Sequence, residues 1–316
     1  MILVVSHPAD DHAVGVLRLL HRAGHPWVQF DTGQFPVNSS LTQRFGDGCP
    51  QFEIVMDGSR NDLSGCRVGW WRRPLPFSLH AEMSPDVASF TYTECHEAVA
   101  GLWAALALIW VNPPGLDEIA HHKPYQLKVA AQAGLRIPRT VITNDPDVAR
   151  QFIDDLGPGR TIYKTFVASE EHWRETRAIR SEELGLLDRV RLAPVIFQEY
   201  VAADADVRVT VVGDRMFAAA ITPAPGGYQL DYRMDLAGAR FEPVDLPAET
   251  SKKIGALMRR LGLIYGAVDL RRIPGGEYVF LEVNPAGEWH FVEERTGQPI
   301  TEAMADLLMG LDGRDT

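Results

Sequence analysis

The residues best suited to chemistry lie near the C-terminus, where Asp269, Glu282 and Asn284 belong to two segments of alternating β-branched and aromatic residues. Gly275-Gly276 separates the segments and suits a two-residue hairpin turn, which would place Asp269 opposite Glu282 and Asn284 further along the same face. Facing carboxylates repel, so something must offset their charge. Two carboxylates and an amide oxygen are donors that Mg²⁺ takes when it also holds phosphates. A solvated hairpin face is the alternative interpretation.

Two lysines are candidates for binding phosphate. Lys164 is predicted in the middle of an apolar strand, where an unpaired ammonium would be costly and a phosphate would supply a partner. The alternative is a lysine at the solvent edge of a sheet. Lys123 is predicted on a helix that begins near residue 117 and also carries Lys128, so for Lys123 an exposed helical position stays open.

Arg208 follows Asp206 by two residues, on the same face of a predicted strand. A guanidinium matches phosphate oxygens bidentately, so Arg208 is a candidate for binding the γ-phosphate or an acyl-phosphate formed from it. A surface ion pair between Arg208 and Asp206 is the alternative.

An aromatic and basic cluster lies at the end of a predicted strand in the first part of the chain. It comprises Trp70, Trp71, Arg72 and Arg73. Aromatic residues and arginine are common anchors of protein interfaces, so the cluster is a candidate contact for a partner. A contact between two domains of the same chain is the alternative.

Periodicity and turn residues predict an α/β chain whose first boundary falls at Pro113-Pro114-Gly115. The predicted strands are 2–5, 27–31, 66–72, a short strand ending at 112, 139–143, the region around 162–164, 193–201 and a hairpin over 207–221. The predicted helices are about 11–23, 91–108, one from 117 to Gly134, one begun by Asp145-Pro146, and about 248–261.

Length and composition narrow the function classes. With 316 residues, 46% hydrophobic and 23% charged, the chain is expected to fold into two or three domains. A net charge of -11 argues against a nucleic-acid partner. The apolar run 102–111 is too short to span a membrane, and Cys49, Cys66 and Cys95 indicate neither a zinc knuckle nor a disulfide framework. We therefore expect a cytoplasmic protein without a membrane partner.

The ordered set of chemical residues resembles the ATP-grasp superfamily, and within it the graspetide or microviridin-type cyclases that mature ribosomally made peptides. The set is Lys123, Lys164, Gln198-Glu199-Tyr200-Val201, Asp206, Arg208, Asp269, Glu282 and Asn284. The narrower resemblance rests on Trp70-Trp71-Arg72-Arg73-Pro74, on the segments 138–146 and 195–201, and on Asp231-Tyr-Arg233.

The resemblance implies an ATP-grasp fold with an N-terminal pre-ATP-grasp α/β domain over 1–115, a central lobe over 116–200 and a C-terminal lobe with the metal site over 201–316. It implies ATP and Mg²⁺ as cofactors. Nucleotide binding falls to Lys123, Lys164, Gln198, Glu199, Tyr200, Val201 and Asp206, and the metal to Asp269, Glu282 and Asn284. Arg208, Lys164 and Arg233 are the implied catalytic residues, with Arg233 in a loop that contacts the acyl-phosphate or the peptide carboxylate.

The implied activity is an ATP-dependent carboxylate ligase. It would activate Asp or Glu side chains of a precursor peptide as acyl-phosphates and join them to hydroxyls or amines of the same peptide, giving esters or amides. The leader segment of that peptide would contact Trp70, Trp71, Arg72 and Arg73. A ligase for a free amino acid or small metabolite, an ATP-binding regulatory protein without turnover, and a homodimer stay open as alternatives.

Overall fold

The computed structural model describes residues 1–46, 48–166, 177–224 and 237–313. In the first part of the chain its elements are β1 (Ile2–Val5), α1 (Asp11–Arg22), β2 (Trp27–Phe30), β3 (Ser39–Arg44), β4 (Gln51–Met56), β5 (Ser59–Asp62), β6 (Val68–Trp71), α2 (Pro85–Ala105) and β7 (Ile109–Val111). The predicted strands and helices of this part are present. Helix α2 begins earlier than predicted, because Ser84 caps it and Pro85 suits its first turn.

A parallel sheet of strand order β2-β1-β6-β7 forms the centre of this part. Alternate side chains of β1 enter two different cores, because Ile2 and Val4 share one with α1 whereas Leu3 and Val5 share another with α2. A continuous apolar strand is typical of a parallel sheet covered on both faces. The carboxyl ends of these strands meet at one edge, and the Trp70–Arg73 cluster lies there.

The antiparallel sheet of β3, β4 and β5 was not predicted. Met56 pairs with Ser59 across a two-residue turn in which Asp57 and Gly58 both have positive φ angles, 49° and 73°. Asp-Gly is a strong hairpin signal. Strands β3 and β5 carry many polar residues, so the alternation of apolar and polar residues that would identify them in the sequence is weak.

The middle of the chain carries a second sheet. Its elements are α3 (Pro114–Ala120), α4 (Lys123–Gln132), β8 (Thr140–Thr143), α5 (Pro146–Leu156), β9 (Thr161–Lys164), β10 (Arg177–Ala178), a 3₁₀ helix (Ser181–Leu192) and β11 (Val195–Glu199). The order β10-β9-β11-β8 is antiparallel throughout. The single helix predicted from residue 117 is wrong: α3 ends before His121, and α4 begins at Lys123 because Pro124 is tolerated only in a first turn.

A third sheet lies in the last part of the chain, with β12 (Ala205–Val212), β13 (Arg215–Thr222), β14 (Arg240–Pro243), α6 (Ala248–Leu261), β15 (Tyr265–Arg272), β16 (Tyr278–Asn284), α7 (His290–Thr296) and α8 (Ile300–Asp312). Its order is β14-β13-β12-β15-β16. Helix α8 returns to the first sheet, where Met304 and Leu308 share a core with Ile2 and Val4. The chain therefore closes on itself, and the first and last parts share one core.

The hairpin of β15 and β16 pairs Asp269 with Glu282, as predicted, but by a different route. The Ile273 amide donates to the Glu277 carbonyl, so the turn holds three residues, 274–276, instead of two. A β-bulge then shifts the register by one residue, since Leu270 faces Phe280 whereas Asp269 faces Glu282. The longer turn and the bulge cancel, and the two carboxylates meet. No helix within the described ranges is long and apolar enough to cross a membrane.

Candidate functional site

The two facing carboxylates of the hairpin each contact a cation of the protein. Arg208 is on β12, opposite Asp269 of β15, and its Nη1 donates to both carboxylate oxygens of Asp269 at 3.0 and 2.9 Å. The Lys123 ammonium contacts the Glu282 carboxylate. Side chains of the Arg208–Asp269 pair are only 7% and 11% exposed, so the pair is buried. Arg208 and Lys123 therefore offset the repulsion inferred from the sequence.

Asn284 completes the predicted oxygen set at the end of β16. It is exposed, faces Ala267, and its Oδ1 accepts a hydrogen bond from the Ala286 amide at 3.0 Å. Within the described residues no three His, Cys, Asp or Glu side chains are grouped to hold a metal. The oxygen set thus offers two carboxylates and one amide, which fits Mg²⁺ that keeps waters or phosphate oxygens as its other ligands.

Lys164 is the last residue of β9 and is half-buried, opposite Ile196. The prediction that it lies in the middle of an apolar strand is wrong, because the strand begins only at Thr161 and ends with the lysine itself. Its side chain therefore starts from a strand end. Asp231, Tyr232 and Arg233 lie outside the described residues, so the predicted role of Arg233 has no structural description.

The predicted nucleotide segment runs out of β11 toward the third sheet. Gln198 is buried and its Nε2 donates to Thr140 Oγ1 at 3.0 Å, while the Glu199 carboxylate accepts from the Arg139 amide at 3.3 Å. Gln198 Oε1 and Thr161 Oγ1 are buried without a hydrogen-bond partner in the described part of the chain. Gln198 pairs with Ile162 and so lies on the same sheet face as Lys164, whereas Thr161 lies on the opposite face. A buried polar atom left in this way is unusual, so Gln198 Oε1 marks a place on the Lys164 face where a bound group could be accepted.

Arg271 contacts the end of this segment. Its Nη1 donates to the Val201 carbonyl at 2.7 Å, its Nε donates to Asp206 at 2.9 Å, and its guanidinium lies 5.4 Å from the Tyr200 ring centre. Asp206 therefore keeps Arg271 in contact with the residues that connect β11 and β12. The ion pair of Arg208 with Asp206, the alternative considered from the sequence, gives way to the pairs Arg208–Asp269 and Arg271–Asp206.

Residues 285–289 follow the oxygen set directly, and side chains from several elements hold their carbonyl groups. Asn112 donates to the Pro285 carbonyl, Arg72 to those of Ala286 and Gly287, Tyr265 to that of Gly287, and Arg208 to that of Glu288. The distances lie between 2.6 and 3.1 Å. We name residues 285–289 the anchored loop. Three of its anchors, Arg72, Asn112 and Tyr265, were not predicted as site residues.

Gly287 is essential to the shape of the anchored loop. A Cβ atom at this position would lie 2.4 Å from the Cβ of Ala267 and 2.8 Å from Nη2 of Arg208. Real Cβ atoms do not approach other atoms so closely, so glycine alone permits the contact between the loop and Arg208. A glycine three residues after the last predicted metal ligand is the one sequence signal that could have marked the loop.

His12 and Asp10 hold the far end of the anchored loop. His12 Nε2 accepts from the amides of Trp289 and His290 at 3.0 and 3.3 Å. Burial lowers the pKa of His12 although Asp10 opposes the shift, so the imidazole is neutral and can accept. Burial alone would raise the pKa of Asp10, but hydrogen bonding to His12 and the charge of Arg72 hold it below its usual range.

The aromatic and basic cluster divides between the interior and the surface. Trp70 and Arg72 are each 1% exposed, and their burial removes them from any surface that a peptide could touch. Trp71 is half-buried against Trp103 and Trp110, while Arg73 reaches the surface and pairs with Glu288 at 2.9 Å. Trp71 and Arg73 are the members that stay available to a partner.

Trp71 lines a groove of about 1010 Å³ between α2, α3 and the segment after β6. Exposed apolar side chains at its rim include Leu75, Tyr92, Leu116 and Ile119. Asp117 lies in the same groove, and burial raises its pKa to about 6. The lining contains no lysine or arginine among the described residues. The groove is therefore suited to apolar side chains and not to an anion.

Two family models match consecutive parts of the chain. The MvdD pre-ATP grasp domain matches residues 1–118, and the RimK-like ATP-grasp domain matches residues 120–308. Among curated proteins, the chain is 28% identical over 231 residues to a probable alpha-L-glutamate ligase 2 of Shewanella amazonensis, covering 70% of this chain and 73% of that protein.

Solved structures extend the similarity to nearly the full chain. The macrocyclase MdnC of Microcystis aeruginosa, solved with the precursor peptide MdnA, is 28% identical with a TM-score of 0.88, over 98% of this chain and 99% of that one. The ATP-grasp ligase PsnB, solved with a phosphomimetic variant of a minimal precursor, Mg and ADP, is 25% identical with a TM-score of 0.79, over 98% of both chains. The fold class predicted from the sequence is confirmed.

Replacing Gly287 by alanine tests the contact between the anchored loop and Arg208. Because the new Cβ has no room beside Arg208, we expect ATP turnover to fall at least about tenfold, a change of about 1.4 kcal/mol in the barrier. Gly101→Ala on α2 is the matched control, since nothing lies within 4 Å of its Cβ position. Turnover in Gly287→Ala equal to that of the control would contradict the proposed importance of this contact.

Proposed function

Because the chain belongs to the RimK-like ATP-grasp family and begins with an MvdD-type pre-ATP-grasp domain, we propose that it is an ATP-dependent ligase that activates side-chain carboxylates of a precursor peptide. The observation that carries this proposal is that the similarity to a macrocyclase bound to its precursor includes the first domain and nearly the whole chain. The curated glutamate ligase is matched over a smaller part of the chain.

The reaction takes two steps in this proposal. A carboxylate oxygen of the peptide attacks the γ-phosphorus of ATP, giving an acyl-phosphate and ADP. A hydroxyl or amine of the same peptide then attacks the acyl carbon, loses its proton and expels inorganic phosphate, which leaves an ester or amide. Holding both groups on one bound chain raises their effective concentration, so weak nucleophiles such as threonine hydroxyls suffice.

The residues proposed to serve the nucleotide are those predicted from the sequence. Asp269, Glu282 and Asn284 would hold Mg²⁺, which when bound supplies neutralising charge at the phosphates. Lys123, Lys164 and Arg208 would bind phosphate oxygens. Gln198, Glu199, Tyr200 and Val201 would line the base and ribose, with Asp206 positioning them through Arg271. Arg233 keeps its proposed role at the acyl-phosphate.

The ion pairs of the site suggest how a metal and a phosphate would enter together. Lys123 contacts Glu282, and Arg208 contacts Asp269. A divalent cation at the two carboxylates would compete with both basic side chains, and phosphate oxygens would then accept them. Each charge exchanges one partner for another, so no buried charge is left alone, which would be costly.

We further propose that Trp71, Arg73 and the groove beside Trp71 bind the leader segment of the precursor. The groove offers exposed apolar side chains, with Leu75 41%, Tyr92 43% and Ile119 46% exposed. Its charged lining residues are acidic, Asp117 and Glu118, so a leader with apolar side chains and a basic residue is complementary to it.

The function is tested by mass spectrometry of a co-expressed peptide. Neighbouring reading frames that encode a short peptide with repeated Thr or Ser and Asp or Glu residues would supply the candidate. We expect the peptide to lose the mass of one water for every ester or amide formed. An unmodified peptide, together with ATP consumption on a free amino acid, would contradict the peptide ligase and favour a small-molecule ligase.

Asp269→Asn tests the metal site. We expect ADP release to fall by more than about tenfold and the Mg²⁺ dependence of ADP binding, measured by calorimetry, to weaken. The free energy of unfolding should also fall, by about 3 kcal/mol, because buried Arg208 loses the charge of the Asp269 carboxylate. Asp306→Asn is the control, since Asp306 is 68% exposed and lies 3.8 Å from Arg215. Unchanged Mg²⁺ dependence would remove Asp269 from the proposed metal ligands.

Ile119→Glu tests the groove. A charge in the apolar rim should weaken binding of a fluorescently labelled precursor at least about tenfold, because one desolvated carboxylate opposes the apolar contact. Binding of ADP with Mg²⁺ should be unchanged. Leu192→Glu is the control, because Leu192 is 86% exposed and lies outside the groove lining. Equal affinity in both variants would place the leader elsewhere.

A further inference from the structure

The anchored loop connects the candidate metal site to the first domain of the chain. It begins directly after Asn284, and two of its carbonyl anchors, Arg72 and Asn112, belong to residues 1–118. His12 of the same domain accepts from the amides at its far end. Both ends of the loop therefore depend on a domain that carries none of the residues proposed for ATP or metal.

Arg72 makes the largest share of these contacts. Its Nε donates to Asp10 at 3.1 Å, and its Nη1 donates to the carbonyls of Ala286 and Gly287 at 2.8 and 2.9 Å. Its guanidinium lies 4.8 Å from the ring centre of Trp289. The side chain is 1% exposed, and its Nη2 has no hydrogen-bond partner in the described part of the chain. Burial of a guanidinium is costly, and an apolar side chain could fill the space instead.

Arg72 and Arg208 both contact the anchored loop, so the loop links the two side chains. Gly287 lies against Nη2 of Arg208, and that same nitrogen donates to the Glu288 carbonyl at 3.1 Å. Arg72 fixes the carbonyls of residues 286 and 287, which precede this contact. A shift of the loop would therefore move Gly287 and the Glu288 carbonyl, and Arg208 would move with them or lose this contact.

We propose that Arg72 is a positioning residue for the ligation reaction, which places Arg208 by fixing the anchored loop. This inference rests on the proposed function. Arg72 touches no substrate in it, and acts only through residues 286–288. A purely structural role would predict a loss of stability with normal turnover per folded molecule, whereas positioning predicts slow turnover in a folded protein.

Arg72→Lys is the decisive variant, because it keeps the charge but cannot donate to Asp10 and to two carbonyls in the fixed geometry of a guanidinium. We expect kcat to fall by about tenfold to a hundredfold while the KM for the peptide changes less than about twofold, since misplacement by about 1 Å has effects of that size. Hydrogen exchange should show lost protection at the amides of Trp289 and His290. Arg22→Lys, at an exposed position of α1, is the matched control.

A second variant keeps the test valid if Arg72→Lys does not fold. Arg72→Met fills the same space without a buried charge and cannot donate to the carbonyls of Ala286 and Gly287, so it should show at least the loss of kcat and of amide protection expected for Arg72→Lys. A folded Arg72→Lys protein with the kcat and protection of Arg22→Lys would overturn the inference. If the wild type modifies no peptide, the proposed function fails, and the exchange measurement still decides whether Arg72 orders the loop.

Discussion

Charge pairing between β12 and β15 is the constraint on which the rest of the site depends. Asp206 pairs with Arg271 and Arg208 pairs with Asp269, both across the same two strands and both buried. Removing one partner of a buried pair leaves a charge without compensation, which costs far more than the pair contributes. A shift of one residue between β12 and β15 would separate both ion pairs, so this register is strongly specified. On its other side β15 pairs with β16, where the turn and the bulge bring Glu282 opposite Asp269, so Asp269 is shared by the ion pair with Arg208 and the facing pair of carboxylates.

The anchored loop carries this constraint from the third sheet to the first. Four successive carbonyls, those of residues 285–288, each accept from a side chain, and the donors are the residue after β6, the residue after β7, one residue of β12 and one of β15. Helix α8 adds a shared apolar core between the same parts of the chain. Because polar and apolar contacts tie the first domain to the oxygen set, the two cannot move independently without breaking several buried hydrogen bonds.

Local signals allowed much of the fold and the acidic pair to be predicted. Alternating residues and the Gly275-Gly276 dipeptide were enough to pair Asp269 with Glu282, although the three-residue turn and the bulge were not foreseen. Arg72 was placed in an interface cluster but not at the site. Its partners, Ala286 and Gly287, lie 214 and 215 residues further along the chain, and no periodicity or spacing connects residues so far apart. The position of Lys164 was misjudged because a strand boundary is the least defined feature of a short apolar run.

The pairing of Asp269 and Glu282 with basic side chains also affects which ligand the proposed site can bind. Among the described residues Asp269 and Glu282 each contact a basic side chain, so a divalent cation or an anion that entered alone would have to displace one of these partners. A metal bound to phosphates brings both charges at once and can satisfy all four side chains. In the proposed mechanism, the site therefore favours the metal–nucleotide complex over either component. The anchored loop contributes by keeping Arg208 close to Asp269 until that exchange of partners takes place.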